Sequence, residues 1–260
     1  MNSSSLRDLY ARHTGKVSDK WGIYLDFYDR IFAPWRDRPI TMVEVGVQNG
    51  GSLEIWAKFF PNAVRIVGCD ANPKCAALTF DDPRISLVIG PINSPPTYRQ
   101  LLERAPEFDI FLDDGSHDSP DIIAAFYNYW PNVKPGGLFV IEDLHCAYFP
   151  THQGGMKEPL NAMNFLKLLA DGVHHAHWKG QADFAAIAAP FLPPGAKADL
   201  TLAEDIRSIL FLDSLCVIEK RAAGETVRLG ERVIVGEKAA VESSPLMLRA
   251  EMQLAWNKKR

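Results

Sequence analysis

The sequence has no CxxC pair, no disulfide-like spacing, no long apolar run and no excess of positive charge, and each absence removes a class of function. Its four cysteines, Cys69, Cys75, Cys146 and Cys216, lie far apart. Three sit in apolar or strand-like contexts, so they read as reduced core thiols and not as zinc ligands. No stretch approaches the roughly 18 apolar residues that span a bilayer, and the N-terminal "MNSSSLRDLYARHTGK" has no apolar signal core. The expectation is a cytoplasmic chain without a membrane partner. With 28 basic against 32 acidic residues, a net charge of −4, there is no global field to hold nucleic acid by counterion release. What remains is 260 residues, 47% of them hydrophobic, enough for one large folded domain with appendages.

Three regions follow from the pattern. Residues 1–38 read as a helical lead-in, because Trp21, Tyr24, Tyr28 and Phe32 recur at intervals of three and four until Pro34 ends the run. From residue 39 to 221, β-rich runs alternate with helical ones: "ITMVEVG" (40–46), "SLEIWAKFF" (52–60), "VRIVGCD" (64–70), "RISLVIG" (84–90), a helix near 94–105, "FDIFLDD" (108–114), a helix near 119–130 with Ser119 as cap and Pro120 at its first position, "GGLFVIED" (136–143) and two late runs within 207–221. This alternation predicts an α/β fold with a doubly wound, mostly parallel sheet. The Gly- and Pro-broken segment 150–206 is expected to be a lid or substrate-recognition insertion. Residues 222–260 form a C-terminal extension, with a hairpin in "ETVRLGERVIVG" and an amphipathic tail carrying Leu246, Met247, Leu248, Met252 and Trp256. That tail points to core packing or to a subunit contact, and a homo-oligomer is expected.

In doubly wound sheets ligands bind beyond the carboxyl ends of the strands. The first strand ends in "VEVGVQNGGS" and the second in Asp70, 19 residues past Gly51. A dinucleotide fingerprint needs a glycine where Gln48 stands, so that a backbone can approach a pyrophosphate. A cofactor with an adenosine and no phosphate needs only Gly46, a loose turn, an acid for the ribose and an anionic setting for any positive charge. S-adenosylmethionine meets that description, with Glu44 as the carboxylate near its sulfonium.

The fourth strand delivers Asp113, Asp114 and then His117; the fifth delivers Glu142 and Asp143. "DDG" alone is a common turn, and "ED" alone serves as a helix cap. Converging on one sheet edge, they offer hard oxygen donors suited to Mg2+ or Mn2+. His117, with an ordinary pKa of about 6.5, is the natural general base. Asp113 points away from Asp114 by strand alternation. His145 and Tyr148 are candidates for an acceptor pocket, whereas His174, His175 and His177 have no acid or cysteine at ligand spacing and read as surface.

The motifs "VEVGVQNGGSLEIW", "DIFLDDGSH", "KPGGLFVIEDLHCAYFP" and "SILFLDSLCVIEK", in this order, resemble the metal-dependent sugar O-methyltransferases of macrolide biosynthesis, of the mycinamicin VI and demethylmacrocin O-methyltransferase type within the class I S-adenosylmethionine-dependent superfamily. The resemblance covers about residues 14–221. It implies a Rossmann-like seven-stranded sheet whose last strand is antiparallel, Mg2+ on Asp114, Glu142 and Asp143, His117 as proton acceptor, and Gly46, Ser52 and Asp70 at cofactor-binding positions. The implied acceptor is a sugar hydroxyl of a glycosylated natural product; an aromatic diol of the catechol type is the alternative. An NAD-dependent oxidoreductase and a non-catalytic binding protein of the same fold are the other readings. Three features depart from the family. Its extra N-terminal domain has no counterpart among these 260 residues, Gly90, Pro91 and Ile92 replace a "GDQ"-like turn near the adenine, and Tyr24 stands where a histidine is expected in "SDKWGIYLDFY".

Overall fold

A computed structural model of the chain describes residues 4–226 apart from 194 and 197–199, together with 229, 230, 233 and 235. The chain divides into two compact units, 1–223 and 224–260. The second unit lies almost wholly outside the described residues, and so do the hairpin and amphipathic tail expected there.

The first unit runs α1 (Leu6–Ala11), α2 (Gly22–Phe32), β1 (Thr41–Val45), α3 (Gly51–Phe59), β2 (Arg65–Asp70), β3 (Ile85–Ile89), α4 (Pro95–Arg104), β4 (Phe108–Asp113), α5 (Ser119–Tyr129), β5 (Val133–Ile141), α6 (Ala162–Val173), α7 (Phe184–Ala188), α8 (Leu200–Asp205), β6 (Ile206–Leu212) and β7 (Leu215–Lys220). The described strands form one seven-stranded sheet in the order β3-β2-β1-β4-β5-β7-β6. β1 to β5 are mutually parallel, and β7 runs antiparallel to both neighbours. The expected doubly wound architecture is therefore present, with β1 and β4 adjacent at the point where strand order reverses.

Alternation along the strands sorts side chains onto two cores. On one face Val43, Val45, Phe111 and Phe139 pack with Phe126 of α5 and Phe165 of α6. On the other Met42, Ile110, Leu112 and Val140 meet Tyr28 and Phe32 of α2 and Trp56 of α3. The aromatic spacing of the lead-in is thus a packing device. Tyr24, Tyr28 and Phe32 are fully buried, and Tyr28 stacks on Phe32 with centroids 5.0 Å apart while meeting Trp56 edge-on at 5.7 Å. Such pairs contribute roughly 0.5–1.5 kcal/mol each beyond area burial. Trp21 departs from this face; it precedes the helix and is 58% exposed.

One local expectation shifts. Asp118, not Ser119, caps α5; Ser119 is its buried first residue, with Pro120 in the first turn. The segment 150–206 contains α6, whose Phe165, Leu166 and Leu169 are fully buried in the first core. All four cysteines are buried and unpaired.

Candidate active site at the strand ends

Register explains why the acids converge. Glu44 of β1 lies opposite Leu112 of β4, which lies opposite Val140 of β5, so these three residues form one row across the sheet. All face the aromatic core side, and two residues further along the same face come Asp114 and Glu142. Asp113 falls on the opposite side by the same period-two rule. The two strand ends are tied by Glu142 N–H donating to the Asp113 carbonyl at 2.9 Å.

Gly46 serves this junction directly. It has φ +87°, and a Cβ there would overlap the Asp114 carbonyl oxygen. The turn after β1 and the acid turn after β4 are thus in backbone contact, which only glycine permits at this conformation.

The turn after β1 is organised by Asp70. One carboxylate oxygen accepts from the Val47 and Gln48 N–H groups at 2.9 and 2.8 Å, and the other accepts from Asn72 N–H at 2.8 Å. Asp70 is half-buried and keeps further acceptor capacity for hydroxyls at the turn. Glu44 and Ser52 lie beneath it: Ser52 Oγ donates to Glu44 Oε2 at 2.7 Å, and Trp56 Nε1 donates to Oε1 at 3.2 Å. Both residues are buried, so they support the turn from below.

Asp114, His117 and Asp143 come together with their ligand atoms within 4.8 Å of one another, the metal-capable group among the described residues. His117 Nε2 is 3.9 Å from Asp114 Oδ1 and 3.7 Å from Asp143 Oδ2. His117 and Asp143 both occupy the left-handed region, at φ 59° and 53°. Such conformations cost of order 1–3 kcal/mol each and cluster at functional sites. Burial pulls the His117 pKa below its ordinary 6.5 against the opposing pull of the two acids, which keeps the ring neutral, and able to accept a proton, at neutral pH.

Asp143 is held by groups from the lead-in. Trp21 Nε1 and Tyr24 O–H each donate to its Oδ1 at 3.0 Å, and Tyr24 lies within the same reach of the Ser214 carbonyl. Oδ2 is left on the His117 side. Tyr24, at the position where histidine was expected, therefore orients a carboxylate. Glu142 is buried deeper, accepting from Tyr28 O–H at 2.7 Å.

Sequence reasoning missed Lys20. Its side chain is 2% exposed, and its Nζ lies 2.5 Å from Asp114 Oδ2, 2.8 Å from Glu142 Oε1 and 3.5 Å from Glu44 Oε1. Burial opposes its charge, but Glu142, Asp114 and Glu44 outweigh that and hold it protonated. Burial likewise pushes the Glu44 and Glu142 carboxyls above the ordinary range, with Lys20 pulling the other way. A cationic side chain two residues before a helix has no spacing signature.

Beside Asp143 a cleft of about 310 Å³ is lined by Trp21, Ile23, Tyr24, His145, Asp213 and Ser214. His145 is fixed there by Ser214 Oγ at 2.5 Å from its Nδ1 and by an edge contact with Trp21. Tyr148 is exposed and does not line the cleft. His175 is bound locally to the Gly172 carbonyl, and the three-histidine cluster forms no metal-capable group.

Asp113 has a different consequence. It is buried on the far face, where its carboxylate accepts only a long bond from Gly115 N–H, and burial raises its pKa to about 7. A folded-state value above the unfolded one means that the wild type loses stability as pH rises from about 4 to about 7. Asp113→Asn is expected to be more stable than wild type at pH 8, on the order of a few kcal/mol, with the gain vanishing near pH 4. Denaturant titrations at the two pH values check this; an equal gain at both would show that ionisation is not the cause.

Residues 43–144 match the family model described as a methyltransferase domain. A rhamnosyl tetracenomycin-C 2'-O-methyltransferase from Streptomyces olivaceus is 36% identical over 215 residues, covering 79% of this chain and 52% of that protein. The demethylmacrocin O-methyltransferase of Streptomyces fradiae is 34% identical over 65% of this chain and 45% of its own length. The crystal structure of the MycE methyltransferase of mycinamycin biosynthesis, in complex with Mg and SAH, superposes with a TM-score of 0.69 at 28% identity, covering 86% of this chain and 56% of that one. The chain spans about half the length of the curated relatives it matches. Within the described residues no helix is long and apolar enough to cross a membrane. With the seven-stranded topology and the strand-end site, these similarities identify the chain as a member of the class I methyltransferases, related to the sugar O-methyltransferases of macrolide and tetracenomycin biosynthesis.

Proposed function

We propose that the chain is an S-adenosylmethionine- and Mg2+-dependent O-methyltransferase that acts on a hydroxyl of a sugar in a glycosylated natural product, with His117 as the general base. The observation that carries this reading is the convergence of Asp114, His117 and Asp143 at strand ends in backbone contact with the Asp70-organised turn. The similarity to sugar O-methyltransferases, and to an enzyme crystallised with Mg and SAH, supports it.

The donor chemistry fits a divalent metal: carboxylates without thiolates suit Mg2+ or Mn2+. Asp114, Glu142 and Asp143 would hold the ion, Glu142 by releasing part of its contact with Lys20. A bound Mg2+ lowers the pKa of an acceptor hydroxyl and neutralises developing negative charge. On the cofactor side, Asp70 and the backbone at Gly46 would receive the ribose and the methionyl portion, with Glu44 and Ser52 holding the turn in place.

The chain's own residues perform the remaining work. Trp21 and Tyr24 fix Asp143 and also line the cleft of about 310 Å³, where part of the acceptor would sit. His117 Nε2 takes the hydroxyl proton, and the oxygen attacks the methyl carbon of the sulfonium in line while the thioether leaves. Positioning and charge stabilisation supply most of the rate.

The test is methyl transfer from labelled S-adenosylmethionine to a rhamnosylated polyketide and, in parallel, to a catechol, with Mg2+ or with EDTA. Transfer to the glycoside that stops in EDTA is expected. Transfer to the catechol alone would assign the aromatic-diol reading, and undiminished transfer in EDTA would sink the metal assignment.

A further inference from the structure

Lys20 belongs neither to the metal set nor to the cofactor turn, yet it is the most enclosed cation at the site. Glu44 and Glu142 are buried on the same face of the sheet, and Asp114 closes the third side of the pocket. Carboxylates this enclosed are costly to leave without a counter-ion. At 2.5 Å from Asp114 Oδ2 and 2.8 Å from Glu142 Oε1, the ammonium fills the gap between the two acids. A divalent ion bound to the same oxygens at about 2.1 Å could not share that gap with it. Glu44, 3.5 Å away, is the partner to which Lys20 can move; its other contacts, from Ser52 and Trp56, are already satisfied.

We propose that Lys20 is a positioning residue that acts as the resident counter-ion of the acid pocket: it holds Asp114 and Glu142 together while no metal is bound, and yields them to an entering divalent cation by shifting toward Glu44. This rests on the metal reading above. Metal entry is then an exchange of one cation for another, so Lys20 stabilises the metal-free chain and weakens metal affinity at once. A purely structural lysine would not produce that opposition.

The experiment uses the full chain with Mg2+ alone, following thermal melting and calorimetric titration for wild type, Lys20→Met and Lys20→Arg. Lys20→Met is expected to melt lower than wild type without metal, to show a larger stabilisation by Mg2+, and to bind Mg2+ about tenfold tighter, the scale of removing one desolvated like-charge contact. Lys20→Arg is expected to recover most of the metal-free stability. Equal or weaker Mg2+ binding by Lys20→Met overturns the proposal. If that variant does not fold, the pair Lys20→Met with Glu44→Gln removes one buried acid with the cation, and the same comparison of affinities decides. A wild type that binds no Mg2+ would instead remove the metal reading on which the proposal stands.

Discussion

Replacing His117 by alanine is expected to leave S-adenosylmethionine binding intact and to lower kcat by about 10²- to 10⁴-fold, the usual contribution of a positioned general base. The imidazole sits between two carboxylates that raise its basicity, while burial depresses it more strongly. The base form should therefore prevail above the ordinary histidine value, and the acid limb of the wild-type pH profile should fall below pH 6.5. In the alanine variant that limb disappears. Because His117 has φ 59°, His117→Asn is the better control for backbone effects, since asparagine tolerates this region more readily than most residues. Calorimetry of cofactor binding and kcat across pH 5–9 provide the readout. An asparagine variant with wild-type turnover and an unchanged acid limb would exclude His117 as the base.

The second large effect is expected at Asp114. Its two oxygens face different partners, Lys20 at 2.5 Å and His117 at 3.9 Å, so it links the proposed counter-ion, the proposed base and the proposed metal. Asp114→Ala should abolish metal-dependent turnover. Losing several kcal/mol of charge stabilisation corresponds to about 10³-fold or more in rate. The variant should also lose the rise in melting temperature expected from Mg2+ with the wild type, which separates lost metal binding from damage to the proposed base. Persistent Mg2+ stabilisation with lost turnover would confine Asp114 to an acceptor-side role.

Most of the sheet was legible because its apolar runs are short and most of them stop at a glycine or an acid, as at Gly46, Asp70, Gly90, Asp113 and Glu142. In "FDIFLDD" alternation sorts the faces: Phe111 goes to one core, Ile110 and Leu112 to the other, and the same period places Asp113 and Asp114 on opposite faces; Phe108 joins Phe111 because the register slips between Phe108 and Ile110. The burial of Glu44 was not legible. An acid among the apolar residues of β1 reads equally as a ligand or as a supported structural group, and only its partners Ser52, Trp56 and Lys20 decide. The contacts of the lead-in were hidden for another reason. Aromatic spacing reports a buried face, but the polar tips of Tyr24 and Tyr28 reach partners more than a hundred residues away, and no local pattern encodes such pairings. Similarly, α6 was obscured by the Gly- and Pro-rich stretches on either side, although its own apolar period is strong.

The distance between the lead-in and its partners along the chain bears on how the protein is made. Tyr28 precedes Glu142 by 114 residues, and Tyr24 precedes Ser214 by 190. At about 5–20 residues per second, a ribosome takes on the order of 6–20 seconds to bring out the first of these partners after the helix itself has been synthesised. During that interval the aromatic face of α2 needs temporary cover. Trp56 follows Tyr28 by only 28 positions, so its edge-on contact with that ring can form before the fifth strand is made, whereas the contacts of Tyr28 and Lys20 with Glu142 cannot.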